Sequence, residues 1–83
     1  LTTDRRKQLI SQAKKTGEEQ KIVLRNSRRD ANKHADGLDK QEGQHFSEDE
    51  IKTLKDEIQE LLKKYEGKID EMVAKKTAEI SDI

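Results

Sequence analysis

Apolar side chains in the second half of the chain recur every three or four residues, the spacing of one face of an α-helix. They predict a single helix over about residues 48–81. At its start, Ser47 and Glu50 have the spacing of a capping box, in which each side chain accepts a hydrogen bond from the other residue's backbone amide. The predicted inward positions are Ile51, Leu54, Ile58, Leu61, Leu62, Tyr65, Ile69, Met72, Val73, Ile80 and Ile83.

The first half of the chain has a weaker pattern, which predicts a helix over about residues 2–36 with Thr2 or Thr3 as its cap. Its inward positions are spaced like a coiled-coil heptad, but most are small or polar and bury little apolar surface. They are Ile10, Ala13, Gly17, Gln20, Leu24, Ser27, Ala31, His34 and Leu38. Glycines and polar residues predict a loop over about residues 37–46. The fold predicted from these elements is all-α, an antiparallel helical hairpin.

The two predicted helices cannot cover all of each other's apolar positions. A helix of about 33 residues is about 50 Å long, and one partner helix shields only one side of it. Ile22 and Val23 also lie off the main line of inward positions. We therefore expect either a further helix that is missing from this chain or self-association of two chains.

Composition narrows the function classes. Only 29% of the 83 residues are hydrophobic and 43% are charged, whereas globular domains have about 45–50% apolar residues. We therefore do not expect an enzyme with its own buried pocket. The chain has no cysteine for thiolate chemistry, and it has no apolar run long enough to predict a membrane span. His34 has only Asp30 at ligand spacing and His45 falls in the predicted loop, so we predict no metal site and no cofactor.

The zero formal net charge hides an asymmetry along the chain. Residues 1–33 contain ten basic and four acidic residues, whereas residues 34–83 contain eight lysines and fourteen acidic residues. At about 100° per residue, one side of the first helix forms a basic stripe beside its inward positions. The basic stripe consists of Lys7, Lys14, Lys21, Arg25, Arg28, Arg29 and Asn32. Such a stripe can follow the phosphates of a nucleic acid, but a solvated charged face gives the same pattern.

Arg28, between Arg25 and Arg29 on the basic stripe, has no acidic residue four positions away that could neutralise its charge. The residues four before and four after it, Leu24 and Asn32, are uncharged, so we expect an exposed guanidinium.

We expect the acidic second helix to face away from a nucleic acid or toward a protein partner, with Lys63 and Lys64 solvated.

The segment Arg25-Asn26-Ser27-Arg28-Arg29-Asp30-Ala31-Asn32 resembles the Arg-Asn-x-Arg-Arg-Asp-Ala-Asn signature of bacterial and organellar ribosome recycling factor. Ser27 departs from the family, which usually has an aliphatic residue at this position. Four other segments are similar to the family in order and spacing, so the resemblance covers nearly the whole chain. They are Leu1-Thr2-Thr3-Asp4-Arg5-Arg6-Lys7, Ser47-Glu48-Asp49-Glu50, Lys68-Ile69-Asp70-Glu71 and Ala74-Lys75-Lys76.

The resemblance implies that residues 1–83 are helices two and three of a three-helix-bundle domain, with the family's first helix and its inserted β/α domain absent. It implies a translation factor and not an enzyme. In the family the bundle binds RNA of the large ribosomal subunit and, with elongation factor G, splits post-termination ribosomes, in the cytoplasm or in an organelle. Carried over to this chain, the signature arginines are Arg25, Arg28 and Arg29, and we expect Arg28 to be the first phosphate contact. The alternative is a generic coiled-coil interaction hairpin that binds no RNA.

Overall fold

The computed structural model describes residues 2–38 and 45–82. These residues form two α-helices, α1 over Thr3–Gly37 and α2 over Glu48–Ser81, with no strand in the described ranges. The predicted all-α hairpin is confirmed. Most of the predicted loop, residues 39–44, lies outside the described residues, as do residues 1 and 83 and therefore the inward position predicted for Ile83.

Side chains cap the start of both helices. The Thr2 hydroxyl accepts a hydrogen bond from the Arg5 amide at 3.1 Å. The Ser47 hydroxyl accepts from the Glu50 amide at 3.1 Å, and the Ser47 amide donates back to Oε1 of Glu50 at 3.5 Å. The predicted capping box is therefore confirmed. Three acidic residues in the first turn of α2 also complement the positive end of its dipole.

The two helices pack side by side and antiparallel in a rod of 63 × 15 × 12 Å. Residues later in α1 lie beside residues earlier in α2, as expected for antiparallel helices. The pairs are Gly17 with Val73, Lys21 with Asp70, Arg28 with Gln59 and Asp36 with Lys55. Among the described hydrophobic side chains only Ala35 and Ile80 are buried, with 2% and 5% of their surface exposed. The core is thus a narrow strip of contact between the two helices.

At Gly17 the backbone of α1 lies close to side chains of α2. This glycine is buried, and a Cβ atom added there would lie 2.6 Å from Cγ2 of Val73 and 3.7 Å from Cγ2 of Ile69. A side chain at this position would force Val73 or one of the helices to shift. Gly67, the glycine in the middle of α2, has open space around it, with nothing within 4 Å of the corresponding Cβ position. The first glycine is therefore required by packing and the second is not.

The predicted line of inward positions on α1 is right at six residues and wrong at three. Gln20, Ser27 and His34 are exposed, and the following residues Lys21, Arg28 and Ala35 lie inward instead. The heptad has a period of 3.5, but a straight helix has about 3.6 residues per turn, so the inward line drifts to the following residue after a few turns. The aliphatic stems of lysine and arginine can line such a contact while their charged ends reach water. The six residues that do lie inward are Ile10, Ala13, Gly17, Leu24, Ala31 and Leu38.

Four of the inward positions predicted for α2 are exposed in the hairpin. They are Leu54, Leu61, Tyr65 and Met72, with exposed fractions of 36%, 53%, 46% and 70%. At about 100° per residue these four side chains share one direction, next to the line of contact with α1. They form a second apolar line that α1 does not reach. Neither described helix combines the length and apolar character that a membrane span requires.

Candidate nucleic-acid interface

The line of contact between α1 and α2 has two long edges with opposite chemistry. One edge, here called the apolar edge, contains an open groove of about 390 Å³. Residues that form it include Leu9, Ala13, Thr16, Ile69, Met72 and Ile80. The exposed line of Leu54, Leu61, Tyr65 and Met72 on α2 continues the apolar edge beyond this groove. On the helical wheel the basic stripe of α1 falls on the opposite edge, beside Gln59, Lys63 and Asp70 of α2. This second edge is called the cationic edge below.

Four members of the basic stripe point to solvent: Lys7, Lys14, Arg25 and Arg29 are exposed. None of the four has an ion pair with another residue in the described part of the chain. Nη2 of Arg29 donates to Oδ1 of Asn26 one helical turn earlier, which orients the guanidinium but leaves its charge uncompensated. These cations are therefore available to a polyanion.

Lys21 differs because acidic residues already surround its ammonium group. It pairs with Asp70 on α2 and lies 3.6 Å from a carboxylate oxygen of Glu18. The hydrogen bond with Asp70 raises the pKa of Lys21 above its ordinary value of 10.5; desolvation opposes this shift, and the negative charges of Asp70 and Glu18 reinforce it. Lys21 thus stays protonated at neutral pH, and its charge forms an ion pair that links the two helices.

Arg28 is partly buried as a residue, whereas we expected an exposed position. Its stem lies inward, and Nη1 donates to Oε1 of Gln59 on α2 at 3.0 Å. The acceptor is a neutral amide, which leaves the positive charge uncompensated. A guanidinium has five N–H donors, and this contact uses one of them. Asn32 is also partly buried, and its Oδ1 atom has no hydrogen-bond partner within the described residues.

The basic stripe therefore does not act as one uniform surface. Its exposed cations border the solvent, Lys21 forms a cross-helix ion pair, and Arg28 is held by Gln59. Gln59 was missed in the sequence because it lies 31 residues from Arg28, and only the antiparallel register brings the two together. No three His, Asp or Glu side chains of residues 2–38 and 45–82 are close enough to hold a metal ion.

Comparison with known proteins places this geometry in context. The family model described as ribosome recycling factor matches residues 1–80. A protein named ribosome-recycling factor from Gloeothece citriformis is 49% identical over 84 residues, covering 100% of this chain and 44% of the relative. Proteins of the same name from Fusobacterium nucleatum and Clostridioides difficile are 43% and 40% identical over 83 residues, again with 100% of this chain and 44% of each relative covered.

The chain thus spans 44% of the length of these curated relatives. No solved structure matches it significantly.

Proposed function

Because the chain belongs to the ribosome recycling factor family, we propose that it is the RNA-binding part of a translation factor that recycles ribosomes after termination. The proposed partners are the RNA of the large ribosomal subunit and elongation factor G, with which the full-length protein splits the post-termination ribosome. The function is one of binding and mechanical separation, with no catalytic step. A bacterial factor of this kind acts in the cytoplasm, where the ribosomes translate.

The cationic edge is the observation that supports RNA binding. Lys7 and Arg29, its outermost exposed cations on α1, are 22 residues apart, which on a straight helix is about 33 Å. Exposed lysines and arginines without acidic partners release counterions when they meet phosphates, and this release drives polyanion binding. Arginine also binds phosphate with two parallel hydrogen bonds. The arginines of the cationic edge all lie within residues 25–29, inside the signature segment.

The apolar edge supports a bundle with one more helix. Met72, Leu61 and Tyr65 are 70%, 53% and 46% exposed. Complete burial of a large apolar side chain contributes about 1.5–3 kcal/mol, and covering the exposed part of each contributes a share of that. We propose that a helix outside these 83 residues packs along this edge in the full-length protein and completes a three-helix bundle. An inserted β/α domain would account for most of the remaining length. In the 83-residue chain alone, self-association along the same edge takes the place of the missing helix.

The direct test is to measure binding of large-subunit ribosomal RNA by variants of the full-length protein. Arg28→Ala should weaken binding by about 1–3 kcal/mol, the range for charge-assisted hydrogen bonds. Lys14→Ala should cost less, because a single flexible ammonium makes a less directed contact. Lys21→Ala is the matched control, since the carboxylates of Asp70 and Glu18 already compensate the charge of Lys21. Its effect on binding should be smaller still.

Filter binding at two salt concentrations separates this function from the alternative. An RNA-binding edge loses affinity steeply as salt rises, whereas a coiled-coil hairpin that recognises only protein binds no RNA at any salt concentration. Equal losses for Arg28→Ala, Lys14→Ala and Lys21→Ala, or no loss for any of them, would show that the signature arginines do not contact phosphate.

Binding and recycling should also be separable. The 83-residue chain should show only background activity in a polysome-breakdown assay with elongation factor G, because splitting the ribosome requires the inserted domain as well as the bundle. Full activity of this chain would contradict that division of labour.

A further inference from the structure

A small cleft lies between α1 and α2 at the level of the signature segment. It has a volume of about 230 Å³, and the apolar residues that line it are Leu24 and Leu62. The charged and polar residues that line it are Arg25 and Arg28 from α1 and Gln59, Lys63 and Glu66 from α2. Three cations thus face one carboxylate across a concave surface. The second helix, which the sequence suggested would face away from a nucleic acid, supplies one of the cations.

The positive charge of this cleft is not neutralised inside the hairpin. Neither Arg25 nor Lys63 has a hydrogen bond or an ion pair with any other residue of the described ranges. This distinguishes the cleft from the contact of Lys21 with Asp70 one to two turns away, where the lysine charge is compensated. An anion entering the cleft would meet free donors from both helices.

Gln59 gives the cleft a fixed geometry. Its Oε1 atom accepts from Nη1 of Arg28 at 3.0 Å, so it restrains a long side chain without cancelling its charge. Restraining a flexible side chain before binding reduces the conformational entropy that is lost on association. Gln59 uses one of the five N–H donors of Arg28, so further donors are left for a phosphate.

We propose that this cleft is a phosphate-binding subsite for RNA, with Lys63 of α2 as a direct phosphate contact and Gln59 as the residue that positions Arg28. The inference rests on the proposed function, because it assigns a place on α2 to the same RNA interface. Glu66 opposes the bound phosphate through its negative charge and limits the affinity. The competing arrangement is a cleft in which Glu66 pairs with Lys63 and leaves no net attraction for an anion.

Purified large ribosomal subunits are the probe, and the full-length protein and its variants are the ligands, at several potassium chloride concentrations. Lys63→Ala should weaken binding about five- to tenfold, the lower end of the range for loss of one charge-assisted contact, because a flexible ammonium makes a less directed contact than a guanidinium. Lys64→Ala is the matched control, because the neighbouring exposed lysine does not line the cleft. It should change affinity by less than about twofold. Glu66→Gln should tighten binding several-fold, and a misfolded variant cannot produce such a gain.

The salt dependence distinguishes a direct contact from a positioning residue. Lys63→Ala should lower the slope of log K against log salt by about 1, because one fewer phosphate is neutralised. Gln59→Ala should weaken binding but leave that slope unchanged, since it removes no charge. Gln59→Glu should weaken binding further by pairing with Arg28. A loss of fold alone would lower affinity and helicity together, so circular dichroism is measured on every variant.

The outcomes separate the inference from the function on which it rests. If Arg25→Ala weakens binding but Lys63→Ala and Glu66→Gln do not change it, α2 has no part in the interface and the inference is wrong while RNA binding stands. Equal losses for Lys63→Ala and Lys64→Ala would also overturn the inference, because only the general charge of α2 would matter. If Arg25→Ala and Arg28→Ala change nothing either, the proposed RNA interface fails as a whole.

Discussion

The apolar edge and the cationic edge flank the same line of helix contact, yet their side chains differ in what they need from their surroundings. On the cationic edge, two cations have partners on the other helix, Lys21 in an ion pair with Asp70 and Arg28 in a hydrogen bond to Gln59, while the exposed cations beside them are solvated. On the apolar edge, Met72 and Leu61 remain 70% and 53% exposed. Apolar surface can be satisfied only by burial, whereas an ammonium or guanidinium is well solvated in water. The difference indicates that the apolar edge needs a packing partner, while the cationic edge can stay in solvent and bind a ligand.

The largest expected effect comes from placing a charge on the apolar edge. In the full-length protein, Leu61→Asp should lower the free energy of unfolding by about 3 kcal/mol or more, because the proposed third helix would bury an unpaired carboxylate. In the 83-residue chain the same substitution should change the free energy of unfolding of the monomer by about 0.5 kcal/mol at most, since Leu61 is 53% exposed there. Urea unfolding of both proteins measures the contrast.

Ala74→Asp is the control for this prediction, because Ala74 is exposed on the side of α2 away from the apolar edge. It should have a small effect in both proteins. Equal destabilisation by Leu61→Asp in the two proteins would mean that no additional helix covers this edge.

Self-association of the 83-residue chain should use the same surface. Leu61→Asp should shift the chain toward monomer in sedimentation experiments, because a carboxylate opposes the burial of the apolar edge in a dimer. Ala74→Asp should leave the association unchanged. A chain that sediments as a compact, cooperatively melting monomer at micromolar concentration, with or without Leu61→Asp, would argue against association altogether.

The two central glycines provide a smaller contrast. Alanine is favoured over glycine by about 1 kcal/mol in a helix interior, so Gly67→Ala, which enters open space, should raise the free energy of unfolding by about that amount. Gly17→Ala should instead lower it by about 1 kcal/mol, because the clash with Val73 costs about 1–3 kcal/mol and exceeds the propensity gain. Denaturant unfolding of both variants tests the pair. Stabilisation by both would mean that the helices are not in close contact at Gly17.

The smallest expected effect concerns the ion pair on the cationic edge. The raised pKa of Lys21 means that the folded protein holds this proton more tightly than the unfolded chain does. The stabilisation is therefore complete below the ordinary lysine pKa of 10.5 and is lost as pH rises through the raised value. Asp70→Asn should be less stable than the unaltered chain at pH about 8, and the difference should shrink by pH about 11. A difference that is constant across this range would mean that the lysine proton is not involved.

Much of the local structure could be predicted from the sequence, because local structure depends on residues close together in the chain. The capping box at Ser47 and Glu50 needs only a spacing of three residues, and it is present. The Thr2 cap follows the same logic. The continuous three-and-four spacing in α2 was enough to predict one long helix. The signature segment also identified the family, since a resemblance depends on the order of residues and not on their positions in space.

Helix contact decided what the sequence left ambiguous. The inward line of α1 passes through Lys21, Arg28 and Ala35 instead of Gln20, Ser27 and His34, because the drift of a straight helix against a 3.5-residue repeat accumulates with length. That drift turned two members of the basic stripe toward α2.

The sequence by itself determined the two helices, their caps, the separation of charge along the chain and the family. Only the tertiary structure decided how that charge is used. Asp70 and Gln59 lie in α2, far along the chain from Lys21 and Arg28, and the antiparallel register brings them together. A carboxylate compensates one cation and a neutral amide orients the other, because side-chain electrostatics act over a few ångströms in space regardless of separation in sequence.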